Sequence, residues 1–360
     1  MAICVSNRFV SGIGKCVASG KYCLQLVLML VLSTAISTAW AQSSRLDDAA
    51  NQPKVRVVAT FSILGDLVKA IGGDRVELTT IVGPNADAHT FEPKPADVKA
   101  LAHAQILVLN GLDFEAWLPR LIESSGFQGQ QLLASQGVVV RHLSPKEALA
   151  HAHHTFPHDH DHDQVDEHAG HEHTHPVSDV DPHAWQNLQN GMIYAQNIMD
   201  GLILADPDHS RYFETRGKAL IQKMSQLDQE IKQAFMGIPV NKRRVVSAHD
   251  AFGYFSQAYG IEFIAVAGLS NQAEVSAKEM ARIVNTVKKE EIAGVFVEGT
   301  ANPNLAKQIA KETGAAVGGA LYADALAEPG HPADSYLGMM SWNAGQLIYV
   351  LKGEPKKDGD

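Results

Sequence analysis

Short β-branched runs alternate with helical patterns along most of this chain, and that alternation leaves few folds open. VRVVAT (55–60), VELTTIV (76–82), QILVLNG (105–111) and GVVV (137–140) read as strands. LGDLVKAIGG (64–73), PADVKALAHA (95–104) and FEAWLPRLIESSG (114–126) between them read as helices. The pattern turns helical again over 184–204, and the second half repeats the grammar. Strands are expected at RRVVSA (243–248), IEFIAVAG (261–268), AGVFVEG (293–299) and AAVGG (315–319). Helices are expected at FGYFSQAYG (252–260), at SAKEMARIVNTVKKEE (276–291) with Ser276 and Glu279 as a capping box, at NPNLAKQIAKETG (302–314), and from Tyr336 to Leu351. Strand–helix alternation of this kind builds parallel sheets covered by helices. No short-period repeat suggests a solenoid.

Between the halves, Pro207 to Met236 carries apolar residues at Phe213, Leu220, Met224, Leu227, Ile231 and Ala234, spaced by 7, 4, 3, 4 and 3. That is one stripe on a helix of some thirty residues, about 45 Å long. The expected fold is therefore α/β with two lobes, each a mostly parallel sheet wrapped by helices, joined by one long connector helix. The expected boundaries are 42–205 for the first lobe, 206–237 for the connector and 238–360 for the second.

The first 41 residues read as an export signal. Arg8, Lys15 and Lys21 precede a short apolar run, LQLVLMLVLSTAI (24–36), and Ala39-Trp40-Ala41 offers small residues for cleavage after Ala41. The run is short for a membrane span, and no other stretch is long and apolar enough to be one. Cys4, Cys16 and Cys23 all precede the cut, so the mature chain is expected to lack disulfides, thiolate ligands, a catalytic cysteine and a lipidated N-terminal cysteine. An exported, soluble, periplasmic protein is expected. Removing three basic residues from thirty leaves 27 against 40 acidic ones, a formal charge of −13, which argues against nucleic acid as a partner. Nothing signals oligomerisation, and a monomer is expected.

Residues 151–175, HAHHTFPHDHDHDQVDEHAGHEHTH, hold ten histidines in twenty-five positions. Such a run has too few hydrophobes to pack a core, and imidazoles among acids suit borderline metals such as zinc. It reads as a disordered, metal-collecting loop, with His158, His160, His162, His171, His173 and His175 as weak, interchangeable ligands. A solvated insert without ligand is the plain alternative.

Seven histidines lie elsewhere: 89, 103, 142, 183, 209, 249 and 331. His89 in GPNADAHTFEP and His249 in SAHDAFGYF follow strands, where open α/β sheets bind their ligands. His183 stands in DVDPHAW, another polar, turn-rich context. Asp324 in GGALYADALAEPG follows a short strand and is the candidate carboxylate. Three imidazoles and one carboxylate make a closed four-coordinate site suited to Zn²⁺. Spacings of 94, 66 and 75 residues mean that only the fold could assemble it. The other four histidines read as surface or local polar residues. Asp87, Asp181, Trp185 and Asp250 are candidates to support or wall the site.

The ordered blocks FSILGDLVKAIGGD, DAHTFEPKPADV, LNGLDFEAWLPRL, DPHAW, SAHDAFGYF and VFVEGTANPNLAKQIAKETG resemble the cluster A-I substrate-binding proteins of zinc and manganese ABC importers. The resemblance covers nearly all of the mature chain. It implies two α/β lobes joined by one long helix, with the metal in the cleft. It carries the family's ligand positions onto His89, His183, His249 and Asp324. Histidine at the third position and a His/Asp-rich loop between the first two are features of zinc-type members. The implied function is periplasmic capture of Zn²⁺ and delivery to a membrane permease with a cytoplasmic ATPase, with no catalytic residue and no resident cofactor. Two rivals stand beside it. One is a zinc buffer or adhesin without a transport role. The other is a zinc hydrolase, against which the chain has no obvious glutamate beside a ligand histidine.

Overall fold

A computed structural model describes residues 53–143, 179–266, 277–299 and 304–353. Its first sheet is built from β1 (Val55–Phe61), β2 (Val76–Val82), β3 (Ile106–Leu109) and β4 (Gln130–Leu133), all parallel, in the order β2-β1-β3-β4. The second uses β5 (Arg244–Ser247), β6 (Glu262–Ala265), β7 (Gly294–Val295) and β8 (Ala316–Val317), again parallel, in the order β6-β5-β7-β8. The two halves thus share one topology. Helices α1 (Ser62–Gly72), α2 (Pro95–Ala102), α3 (Leu118–Ser125) and α4 (Leu188–Ala205) accompany the first sheet. Helices α6 (Gly253–Tyr259), α7 (Ala277–Lys289), α8 (Asn304–Thr313) and α9 (Tyr336–Lys352) belong to the second half.

The long helix α5 (Ser210–Met236) runs 27 residues between them, about 40 Å at the standard rise. Phe213, Met224 and Ile231 of its expected stripe are buried, and Phe235 takes the place expected for Ala234. One continuous core runs from the first sheet through α4, α5, α6 and α9, and takes in Val245 and Phe296 of the second half. A smaller core of Val246, Ile283, Val287, Val295 and Ile309 covers the other face of the second sheet. Consecutive residues Val245 and Val246 therefore face opposite cores, as the two-residue period of a strand requires.

Two expectations are corrected. GVVV (137–140) is not a strand. The edge position is taken by Gln130–Leu133, which pairs along β3, and Val139 is 87% exposed. Val138 alone of the three valines is buried, and the segment pairs with no strand, so its β-branched residues are not matched by a ladder. The expected helix 114–126 begins only at Leu118, because Leu112 and Asp113 take positive φ in the turn before it. The export segment 1–41, the His-rich tract 151–175 with its six named histidines, and Ser276 lie outside the described residues. No described helix is long and apolar enough to cross a membrane.

Candidate metal centre

The chain brings His89, His183, His249 and Asp324 to one point. One ligand atom from each lies within 4.8 Å of all the others. Each arrives by a different route. His89 sits in the loop after β2, where Asp87 accepts the His89 backbone N–H (2.8 Å) and the Thr90 hydroxyl (3.2 Å). The Trp117 indole holds the preceding carbonyl of Ala88 (2.8 Å). His183 opens a 3-10 turn, Ala184–Gln186. The Trp185 indole and the Gln186 amide both donate to the Ala323 carbonyl at 2.8 Å, next to Asp324. The turn bearing one candidate ligand thereby positions the backbone of another.

His249 follows β5, and its backbone N–H donates to Glu298 Oε1 (3.0 Å). Asp324 follows a bridge between Glu298 and Leu321. Its loop is tethered to α1 of the first half. The Leu326 N–H donates to Ser62 Oγ (3.0 Å) and the Tyr336 N–H to Asp66 Oδ2 (2.8 Å). Burial pushes the Asp66 carboxyl up, and neither the Tyr336 N–H nor Lys69 offsets it. Phe61, Phe114 and Trp185 pack beneath the site in tilted and edge-to-face pairs, with ring centroids 4.8 to 5.0 Å apart. Such pairs add about 0.5–1.5 kcal/mol each beyond their burial and make a stiff apolar floor.

The facing atoms are close and poorly satisfied. His89 Nε2 lies 3.2 Å from His183 Nε2, and His249 Nε2 lies 3.0 Å from Asp324 Oδ2. His183 Nε2 is 3.4 Å from Asp324 Oδ1. Yet both Asp324 oxygens and His249 Nε2 are buried without an aligned hydrogen bond. Leaving buried polar atoms so costs about 1–3 kcal/mol each unless something else satisfies them. A cation at the centre would do so for all of them together.

Two of the three rings carry a carboxylate on the far nitrogen. Asp181 Oδ1 meets His183 Nδ1 at 2.8 Å, and Glu298 Oε2 meets His249 Nδ1 at 2.5 Å. The first is an aligned hydrogen bond, and an Nδ1–H held this way leaves the Nε2 lone pair free and raises its basicity, whereas His249 Nδ1 and Glu298 Oε2 are close but not aligned. Burial, reinforced by the two neighbouring imidazoles, lowers the His89 pKa to about 4 despite Asp324, so its ring is neutral at pH 7. Burial opposes charge on His249, but Glu298 and Asp324 outweigh it and raise that ring well above its ordinary value. Burial also works against the Asp324 carboxylate, and the three imidazoles, His249 foremost, nevertheless hold it below its ordinary value.

Asp181 and Trp185 thus contact the centre as expected, and Asp87 shapes the His89 loop. Asp250 is half-buried beside His249. Glu298 is the residue that the sequence reading missed, and it corrects the expectation that no glutamate stands beside a candidate ligand histidine. Its signal was available: it ends a strand run, AGVFVEG, as His89 and His249 do. The remaining histidines make local contacts. His103 meets the Lys99 carbonyl, His142 pairs with Asp179, His209 pairs with Asp206, and His331 packs on Tyr322 and Trp342.

The model of the periplasmic zinc-uptake complex component A family matches residues 57–349. The chain belongs to this family. It is 31% identical over 333 residues to the metal ABC transporter substrate-binding lipoprotein FimA of Streptococcus parasanguinis, covering 91% of this chain and 99% of that one. It is 32% identical over 317 residues to the manganese ABC transporter substrate-binding lipoprotein PsaA of Streptococcus pneumoniae, covering 86% and 93%. Among solved structures, the periplasmic zinc-binding protein TroA of Treponema pallidum superimposes with a TM-score of 0.70 at 26% identity, over 83% of this chain and 99% of that one. Members of the family are metal-binding components of transporters that work with a membrane permease, and not enzymes. The hydrolase reading is thereby set aside, even with Glu298 beside His249.

Proposed function

We propose that the protein captures Zn²⁺ with His89, His183, His249 and Asp324 and delivers it to the permease of a zinc ABC importer. The observation that carries this reading is the convergence of three imidazoles and one carboxylate, with His249 Nε2 and both Asp324 oxygens buried and lacking an aligned hydrogen bond. Three nitrogens and one oxygen suit tetrahedral zinc, whereas manganese prefers more oxygen. The relatives' names divide between these metals, so the donor set supports zinc here. The lobes are taken as 42–205 and 238–360 about the connector 206–237. The His-rich tract collects or buffers zinc through weaker sites. Export with cleavage after Ala41 delivers a soluble monomer to the periplasm. All three cysteines precede that point, unlike what the relatives' lipoprotein names imply for their own chains.

Competitive metal titration of residues 42–360, beside a version lacking 151–175, tests this with mass spectrometry counting the ions. One tight zinc retained by the shortened protein, outcompeting manganese, with extra weak ions only in the longer one, is expected. Loss of the tight ion on shortening would move the metal site to the tract and remove the chemical basis of the reading.

A further inference from the structure

The chain enters and leaves segment 144–178 through a narrow antiparallel neck. Asp181 N–H donates to the Arg141 carbonyl (3.0 Å), Leu143 N–H donates to the Asp179 carbonyl (2.6 Å), and His142 bridges Val180. Arg141 and Asp181 are therefore cross-strand neighbours, and their side chains meet as such pairs do. Arg141 Nη1 donates to Asp181 Oδ2 at 2.7 Å, while Asp181 Oδ1 serves the backbone N–H (3.0 Å) and Nδ1 (2.8 Å) of His183. Asp181 is wholly buried and the Arg141 side chain is only 12% exposed.

The same arginine also reaches the other half. Its backbone N–H donates to the Tyr254 hydroxyl (2.7 Å) on α6, the helix that follows His249. At the start of α6, Gly253 leaves room for it. A Cβ there would fall 2.4 Å from the guanidinium carbon and 2.6 Å from Asp181 Oδ2. A buried ion pair of this kind contributes little net stability, so energy alone does not explain it. Its fixed planar fork does restrict where the Asp181 carboxylate can lie.

We propose that Arg141 is a positioning residue of the metal centre, fixing Asp181 and through it the His183 ring, while anchoring the neck to the helix behind His249. This rests on the tight-site reading above. Loss of the guanidinium frees Asp181 to rotate, and His183 Nε2 loses its aim.

The test uses the mature protein and its Arg141→Met, Arg141→Lys and Gly253→Ala variants. Zinc affinity is measured against a chromophoric chelator, and the visible absorption of the Co²⁺ form reports ligand geometry. Arg141→Met is expected to weaken zinc about ten- to a hundredfold and to change the cobalt spectrum, with Arg141→Lys recovering part of both. Gly253→Ala, whose Cβ presses on both the guanidinium and Asp181 Oδ2 and so disturbs the pair without removing either partner, is expected to change them in the same direction and serves if Arg141→Met does not fold. Wild-type zinc affinity or an unaltered cobalt spectrum in the Met variant, or in the Ala variant should that one have to serve, overturns the inference while the metal site stands. A wild-type protein without a tight ion overturns the function proposed above, and this inference with it.

Discussion

The two sheets share a strand order, but they support their histidines by different means. In the first half, the partner of His183 is Asp181, two residues away on the same short segment. In the second half, the partner of His249 is Glu298, 49 residues away at the end of another strand. The local carboxylate is itself gripped by Arg141 and uses one oxygen for both His183 contacts. The distant one faces backbone N–H and ring Nδ1 with separate oxygens. His89, whose ring no carboxylate orients on Nδ1 among the described contacts, is the most exposed of the three. A ring can thus be aimed by its own turn or by the sheet, and the second way depends on more of the fold being in place.

The largest test removes the rings themselves. If a site of about 10–16 kcal/mol is shared among four ligands, each supplies on the order of 3 kcal/mol. His183→Ala and His249→Ala are each expected to weaken zinc a hundredfold or more, read by chelator competition. Either variant retaining wild-type affinity would remove that ring from the site.

The carboxylates sharpen the contrast. Glu298→Gln leaves one oxygen to serve two N–H groups, whereas Asp181→Asn keeps the single oxygen that already serves both. Losses of about ten- to a hundredfold are expected, larger for Glu298→Gln. The reverse order would mean that the Arg141 contact, and not the oxygen count, governs the pair.

The smallest effect lies at the tether between the halves. Burial raises the Asp66 carboxyl, so its contribution to stability is present below the unfolded value and is lost as pH rises through the folded one. Asp66→Asn keeps an acceptor for the Tyr336 N–H without the buried charge. It should be more stable than the wild type at pH 7, an advantage that fades as pH falls toward the ordinary carboxylate range. Urea midpoints at pH 7 and in that range measure this. An equal difference at both would show that the carboxyl is not pushed up by burial.

The same contrast explains what the sequence made legible. VELTTIV coincides with β2 because its pattern is a strand's and its bounds are turns. The α5 stripe was readable because burial on a long helix recurs with the helix period, down to one position of slippage from Ala234 to Phe235. Strand β4 was hidden because QQLL buries only Leu132 on an edge. GVVV looked more like a strand than the true one. His89 and His249 were legible as strand exits, and Asp181 as a neighbour of His183. The resemblance, more than spacing, joined Asp324 to them. Arg141 was not singled out, because its role exists only once distant segments are adjacent, and Glu298 was passed over although it stands near the end of the strand run AGVFVEG.

The neck at 141–143 and 179–181 also makes its 35-residue span an exchangeable cassette. Its ends are already joined by backbone hydrogen bonds, so a change in length alters the closure entropy only slowly, about 0.6 kcal/mol per doubling. A lineage or an engineer could lengthen, shorten or replace that span with little disturbance to the four groups below it.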